Sequence, residues 1–240
     1  MIQLLVSLVV LGFLYYRMVK REIPSPVDKG QAIIPVAVGI LSLPLSFVFV
    51  LGIGLLLKAI GYDSSVQTPI VHSFTAAAFA AGIPEELAKL LIMLLSLRLF
   101  RKKIRNVYEY ILIGAATGLA FTLFEEFLYG SDIITTIGRL ITVAAHMVFG
   151  IIMAKHLGMA RVRKEGSVFG EYAKALLIPV VIHTLYDAFT AFNFMMQNGD
   201  DVGVLLGIAA IAAMFVGQII VLIRLKKNTE KYCGMKISGV

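Results

Sequence analysis

The chain has 240 residues, 59% of them hydrophobic and 15% charged, with a mean hydropathy of +0.88 and no Trp. A soluble domain of this size would carry charge over its whole surface, whereas long uncharged stretches are what a lipid-facing surface requires, so the composition excludes a disordered chain and disfavours a soluble one. The net charge of +7 is tested first as a topology signal, and the single Cys, Cys233, allows neither an internal disulfide nor a cysteine metal cluster.

A transmembrane helix needs about 20 mostly apolar residues. Runs of that kind lie near 2–16, 33–60, 70–97, 107–129, 133–154, 175–195 and 202–223. They predict an all-α polytopic membrane protein, with about seven transmembrane helices in one bundle and 1–240 as a single membrane domain. The first run ends in Tyr15, Tyr16 and Arg17 without a small-residue cleavage pattern, which favours a retained helix over a signal peptide. No internal repeat, low-complexity tract or glycine-rich phosphate loop interrupts the pattern.

All Lys and Arg but Lys58, Lys89 and Arg139 fall into four clusters separated by pairs of runs: 17–29, 98–105, 155–174 and 224–236. The other loops hold Asp63, Asp132, Asp200 and Asp201. By the positive-inside rule the N-terminus lies outside and 224–240 is a basic cytoplasmic tail, in what reads as a prokaryotic plasma membrane. The positive charge then suits anionic headgroups of the lipid bilayer, and no nucleic-acid partner is called for.

The informative residues are the ionisable ones left within the runs, since each costs at least about 2.5–3.5 kcal/mol at bilayer depth. The third run carries Gly82-Ile83-Pro84-Glu85-Glu86-Leu87-Ala88-Lys89. Pro84 removes a ladder hydrogen bond and opens the backbone beside two carboxylates. Successive helical residues diverge by about 100°, so one Glu can face a cavity while the other meets a neighbouring helix, and Lys89 can neutralise either. The fourth run ends in Phe124-Glu125-Glu126-Phe127-Leu128-Tyr129, the fifth has His146 and Gly150, and the sixth has His183 and Asp187. Counted from Lys155 and Lys174, both histidines lie about 13 Å above the cytoplasmic edge; counted from Arg98, Glu85 lies about 20 Å above it. Counted from Arg105, Glu125 lies about 30 Å away, which reads as a solvated acid near the outer surface. His72, His156, Lys58 and Arg139 read as interfacial anchors. Asp187 can orient His183 or act as a ligand, and Gly150 admits either a helix or an extended substrate beside His146.

Glu85-Glu86-x-x-Lys89, Phe124-Glu125-x-x-x-Tyr129, His146-x-x-x-Gly150 and His183-x-x-x-Asp187 resemble, in order and spacing, the four motifs of the PrsW intramembrane proteases, which are related to the CAAX prenyl protease and bacteriocin-processing superfamily. The resemblance covers 85–187 and makes 70–195 the catalytic helices. It implies hydrolysis of peptide bonds in membrane-protein substrates, single-span anti-sigma factors being the best-known class. Glu85 and Glu86 would be the essential carboxylates and His146 and His183 would complete the water-activating centre, with Asp187 beside them and Lys89, Glu125, Tyr129 and Gly150 in support. The first motif ends in Lys89 where the wider superfamily has Arg, and the second carries Glu125 and Tyr129 where that superfamily has a His. These residues leave the cofactor open: paired Glu beside Lys favours metal-free glutamate–histidine chemistry, while Glu85, His146 and His183 would also suit zinc with one open position.

Two other classes compete. An ion- or proton-coupled transporter would also bury acids and histidines, but it commonly shows inverted repeats and paired broken helices, and here there is one broken helix. An intramembrane hydrolase of prenylated peptides or lipid amides differs only in the bond cleaved.

Overall fold

A computed structural model describes residues 2–63, 66–128, 133–163 and 167–237. Among these residues the chain is helical apart from turns and one isolated bridge, Asn106 to Lys236. The helices are α1 (Ile2–Lys20), α2 (Lys29–Gly39), α3 (Ser42–Ala59), α4 (Pro69–Ala77), α5 (Ile83–Leu99), α6 (Val107–Leu128), α7 (Ile133–Ile141), α8 (Ala145–Val162), α9 (Val168–Ala188), α10 (Phe194–Gln197), α11 (Asp201–Lys227) and α12 (Thr229–Gly234). A π-helical turn, Ala78–Gly82, joins α4 to α5.

Among the described residues six segments are long and apolar enough to cross a membrane: Gln3–Lys20, Lys29–Ala59, Val107–Leu128, Thr136–Val162, Val168–Ala188 and Asp201–Lys227. The remaining predicted run, 70–97, is helical throughout but divided by the π turn, and neither part alone reaches the length of a bilayer crossing. The cause is local. Pro84 has no amide hydrogen to give to the preceding turn, and widening that turn to the π form spares its ring a clash with the carbonyl behind it.

The bundle is built around α6, which is buried on all sides for most of its length. Its sequence explains this, because Gly114, Ala115, Ala116, Gly118 and Ala120 let neighbouring backbones approach closely. A Cβ on Gly150 of α8 would overlap the carbonyl of Gly114, and one on Gly118 would overlap that of His146. Gly150 therefore serves helix packing, and the alternative of leaving room for an extended substrate does not hold. Side chains cap helix starts as the sequence allows: at α2 Asp28 Oδ1 accepts from the Gln31 amide at 2.8 Å, and at α9 Ser167 Oγ accepts from that of Gly170 at 3.0 Å.

Helix limits differ from the predicted runs in α8 and α9. Lys155, Arg161 and Lys174 lie within these helices, α8 continuing beyond its apolar stretch in its last turns and α9 beginning before its own in its first turns. His156, placed near a span end by the sequence, has its Nδ1 2.6 Å from Glu171, which also pairs with Arg163 and Lys174. The segment after Lys227 folds back, burying Cys233 against α6 and bonding Val107 N to Met235 O at 3.1 Å. Asp132 and Lys164, used above for topology, fall outside the described residues.

Candidate active site

Four helices bring their polar groups to one place. Counted from the helix ends that carry the basic clusters, Glu85, His183, His146 and Glu125 lie about 21 to 27 Å along the bundle. The depth inferred for the histidines was too shallow because Lys155 and Lys174 do not mark helix ends. With that corrected, Glu125 is at the level of His146 and is not a solvated acid near the outer surface. Its side chain is 9% exposed and its Oε2 accepts from His146 Nε2 at 3.0 Å.

Lys89 holds the centre together. Its ammonium has three hydrogens and three partners: Glu86 Oε1 at 2.7 Å, His146 Nδ1 at 2.9 Å and Glu85 Oε2 at 3.3 Å. It also sits 3.8 Å from the centroid of the Phe121 ring. The two adjacent carboxylates divide as the helical geometry predicts. Glu86 is fully buried and accepts from His183 Nδ1 at 2.9 Å, and its Oε2 has no partner among the described residues. Glu85 is 13% exposed and lines a cavity of about 190 Å³.

His183 is set against α5 by a close approach. A Cβ on Gly82 would overlap Thr184 Oγ1, so only glycine in the π turn lets α9 come in at this point. His183 Nε2 then faces Asp187 Oδ2 at 3.3 Å and Glu85 Oε2 at 3.8 Å, so both ring nitrogens meet carboxylates. The rings of His146 and His183 are 5.2 Å apart and nearly perpendicular.

The cavity is lined by Glu85, Glu125, His146, His183 and Asp187, but by neither Glu86 nor Lys89. Tyr129 lies outside the described residues. Arg139 was read as an anchor, yet it belongs here: it pairs with Glu125 at 2.9 Å and with Glu126 at 3.1 Å. Glu126 in turn accepts from Gln3 of α1. A signal for Arg139 was present, since it and Lys89 are two of the three basic residues outside the topological clusters. Tyr186, also on the wall, meets Thr142 at 3.1 Å.

One carboxylate and two imidazoles, from Glu85, His146 and His183, offer ligand atoms that all lie within 4.8 Å of one another. By donor type and spacing this set fits a divalent ion of the zinc class. Lys89 competes for it, because the ammonium already engages Glu85 and His146.

A carboxylate–imidazole centre sunk in a bundle of apolar helices defines an integral membrane protein with the constellation of an intramembrane hydrolase. Residues 31–218 match the family described as PrsW family intramembrane metalloprotease, and the chain belongs to that family. It is 35% identical over 88 residues to Protease PrsW of Halalkalibacterium halodurans, covering 34% of this chain and 39% of that relative. It is 29% identical over 118 residues to Protease PrsW of Bacillus subtilis, covering 48% of this chain and 54% of that one. The matched region thus spans about half, or less, of the curated relatives' lengths. No solved structure matches the chain.

Proposed function

We propose that this chain is an intramembrane endopeptidase that hydrolyses peptide bonds in or near the transmembrane segment of single-span membrane proteins, anti-sigma factors among them. The observation that carries the reading is the convergence of Glu85, Glu125, His146, His183 and Asp187 on one cavity within apolar helices. Seven crossings, with α4, the π turn and α5 making the third, and an N-terminus outside a prokaryotic plasma membrane complete the topology.

Amide hydrolysis needs a base for water, a donor for the oxyanion and a proton for the leaving amine. Glu85 is the base: it faces the cavity, and Glu86 behind it does not. Taking a proton from a cavity water, it releases a hydroxide to the substrate carbonyl and returns that proton to the departing nitrogen. His183, held in place by Glu86 at Nδ1, turns its Nε2–H from Asp187 to the developing oxyanion. Glu86 and Lys89 are positioning residues, because both are fully buried away from the cavity. Glu125 keeps the hydrogen of His146 on Nε2, which leaves Nδ1 to accept from Lys89. Glu85, His146 and His183 would hold a metal; when bound, a zinc-class ion supplies an acidified water and polarises the carbonyl. The family description favours that route over the metal-free one expected from the residues alone.

An apolar cavity of about 380 Å³ lies between α8, α9 and α11 and shares Phe149 and Tyr186 with the polar one. It gives a membrane-embedded substrate a lateral way to Glu85. The test is cleavage of a panel of single-span proteins in liposomes by wild type, Glu85→Gln, Glu86→Gln and His146→Ala, with and without a zinc chelator. Wild-type cleavage lost in all three variants is expected, and chelation separates metal from glutamate chemistry. Cleavage that persists in Glu85→Gln would remove the assigned base.

A further inference from the structure

At the end of the bundle that carries the basic clusters, far from Glu85, a crevice of about 300 Å³ opens between α1 and α11. Its lining is ordered along the helices. On α1, Phe13 and Arg17 follow at a step of four and so share a face, with Arg21 in the turn just after the helix; on α11, Leu222 and Lys226 stand at the same step. On both helices the apolar residue is the deeper one and the cation lies toward the basic end. Tyr108 of α6 closes the floor, its hydroxyl donating to Met18 O at 2.9 Å, with Leu225 buried in the same cluster.

Three cations thus converge with no carboxylate in ion-pair distance of any of them among the described residues. Glu22, adjacent in sequence to Arg21, turns away to Arg105 at 2.8 Å and Asn106 at 3.2 Å. The uncompensated charge has the geometry of a ligand that is anionic at one end and apolar at the other. We propose that this crevice binds one anionic phospholipid, its phosphate between Arg17, Arg21 and Lys226 and an acyl chain along Phe13, Leu14 and Leu222. Headgroup sites of this chemistry form where basic residues ring a gap between membrane helices. The site stands independently of the proteolytic reading, since it shares no residue with the catalytic cavity.

The experiment is native mass spectrometry of the full chain after reconstitution with equal parts phosphatidylglycerol and phosphatidylcholine. Wild type is expected to retain one phosphatidylglycerol molecule in preference. Arg17→Gln/Arg21→Gln/Lys226→Gln should lose about tenfold or more of that retention, whereas Arg98→Gln/Arg101→Gln/Lys102→Gln, which removes equal charge from the same end, should keep it. Leu222→Trp fills the crevice with every charge in place and should also expel the lipid. Equal retention in the two triple variants would overturn the proposal, as diffuse surface attraction then suffices. So would displacement of the lipid by millimolar inorganic phosphate, which would make this a free-phosphate site.

Discussion

The ammonium of Lys89, on α5, lies 2.9 Å from Nδ1 of His146, on α8. An ammonium has no lone pair, so the ring must accept there, and the one hydrogen of a neutral imidazole is then directed from Nε2 to Glu125. A single residue fixes a tautomer and pairs with two carboxylates. Replacing Lys89 by Met leaves the buried Glu86 with His183 Nδ1 as its remaining partner, at a cost of about 1.5–3 kcal/mol for the lost charged hydrogen bond. Unfolding followed through the thiol of Cys233, which is buried and the sole cysteine, should show that loss, and Glu86→Gln in the same chain should recover part of it. The two lone pairs freed on Glu85 and His146 should also strengthen cobalt or zinc binding, read by absorption or calorimetry. Unchanged metal affinity would show that Lys89 does not compete for the site.

Arg139 meets Glu125 at 2.9 Å, so under the proposed mechanism it would act on the reaction through that carboxylate. Arg139→Gln frees Glu125 to leave His146, and kcat is expected to fall about tenfold with KM little changed. Arg139→Lys should recover only part of the rate, because the guanidinium meets Glu125 and Glu126 through two separate nitrogens held in one plane, which a single ammonium on a differently shaped stem does not reproduce. A rise in KM alone would instead place Arg139 against the substrate.

Much of this centre was legible before any geometry, and the omissions have one origin. Runs of apolar residues located the helices because a bilayer demands length, and Pro84 announced the break in 70–97 because its ring cannot continue a regular ladder. Glu85, Glu86, Lys89, His146, His183 and Asp187 stood out as charges that lipid does not tolerate. Glu125 stood with them but was placed too far out, and Arg139 read as an interfacial anchor, because depth was measured from basic residues rather than from helix ends. Lysine reaches water along its own stem, so Lys155 and Lys174 sit inside helices that the charge pattern ended too early. The π turn and the closeness of α6 to α8 are tertiary facts, since small residues permit such contacts without specifying the partner.

That contact gives a stability prediction. Gly150→Ala drives a methyl group into the carbonyl of Gly114, and the neighbour is backbone on a fully buried helix, so neither side can give way locally. Overpacking of this kind costs about 1–3 kcal/mol. Because His146 lies one turn before Gly150, activity should fall together with stability. Gly54→Ala, on the exposed flank of α3 with nothing near its added carbon, should leave both unchanged. Equal behaviour of the two variants would mean that α6 and α8 are not held at glycine distance.

The link between α1 and α6 outside the membrane-spanning segments should make stability depend on pH. Glu22 is buried beside Glu109, and burial reinforced by that neighbouring carboxylate pushes its acid from 4.5 up to about 7. A carboxyl raised in the folded chain binds its proton more tightly there than when unfolded, so the fold is favoured while Glu22 is protonated. That contribution is present in full below about 4.5 and is lost as pH rises through about 7. Glu22→Gln keeps a neutral group at the same place, including its contact with Arg105, and removes the titration. Thermal unfolding of both proteins between pH 4.5 and 8 should show the wild type losing stability relative to the variant across that window and running parallel above it. A constant difference across the whole range would mean that Glu22 holds no proton in the fold and that Arg105, 2.8 Å away, keeps it ionised throughout.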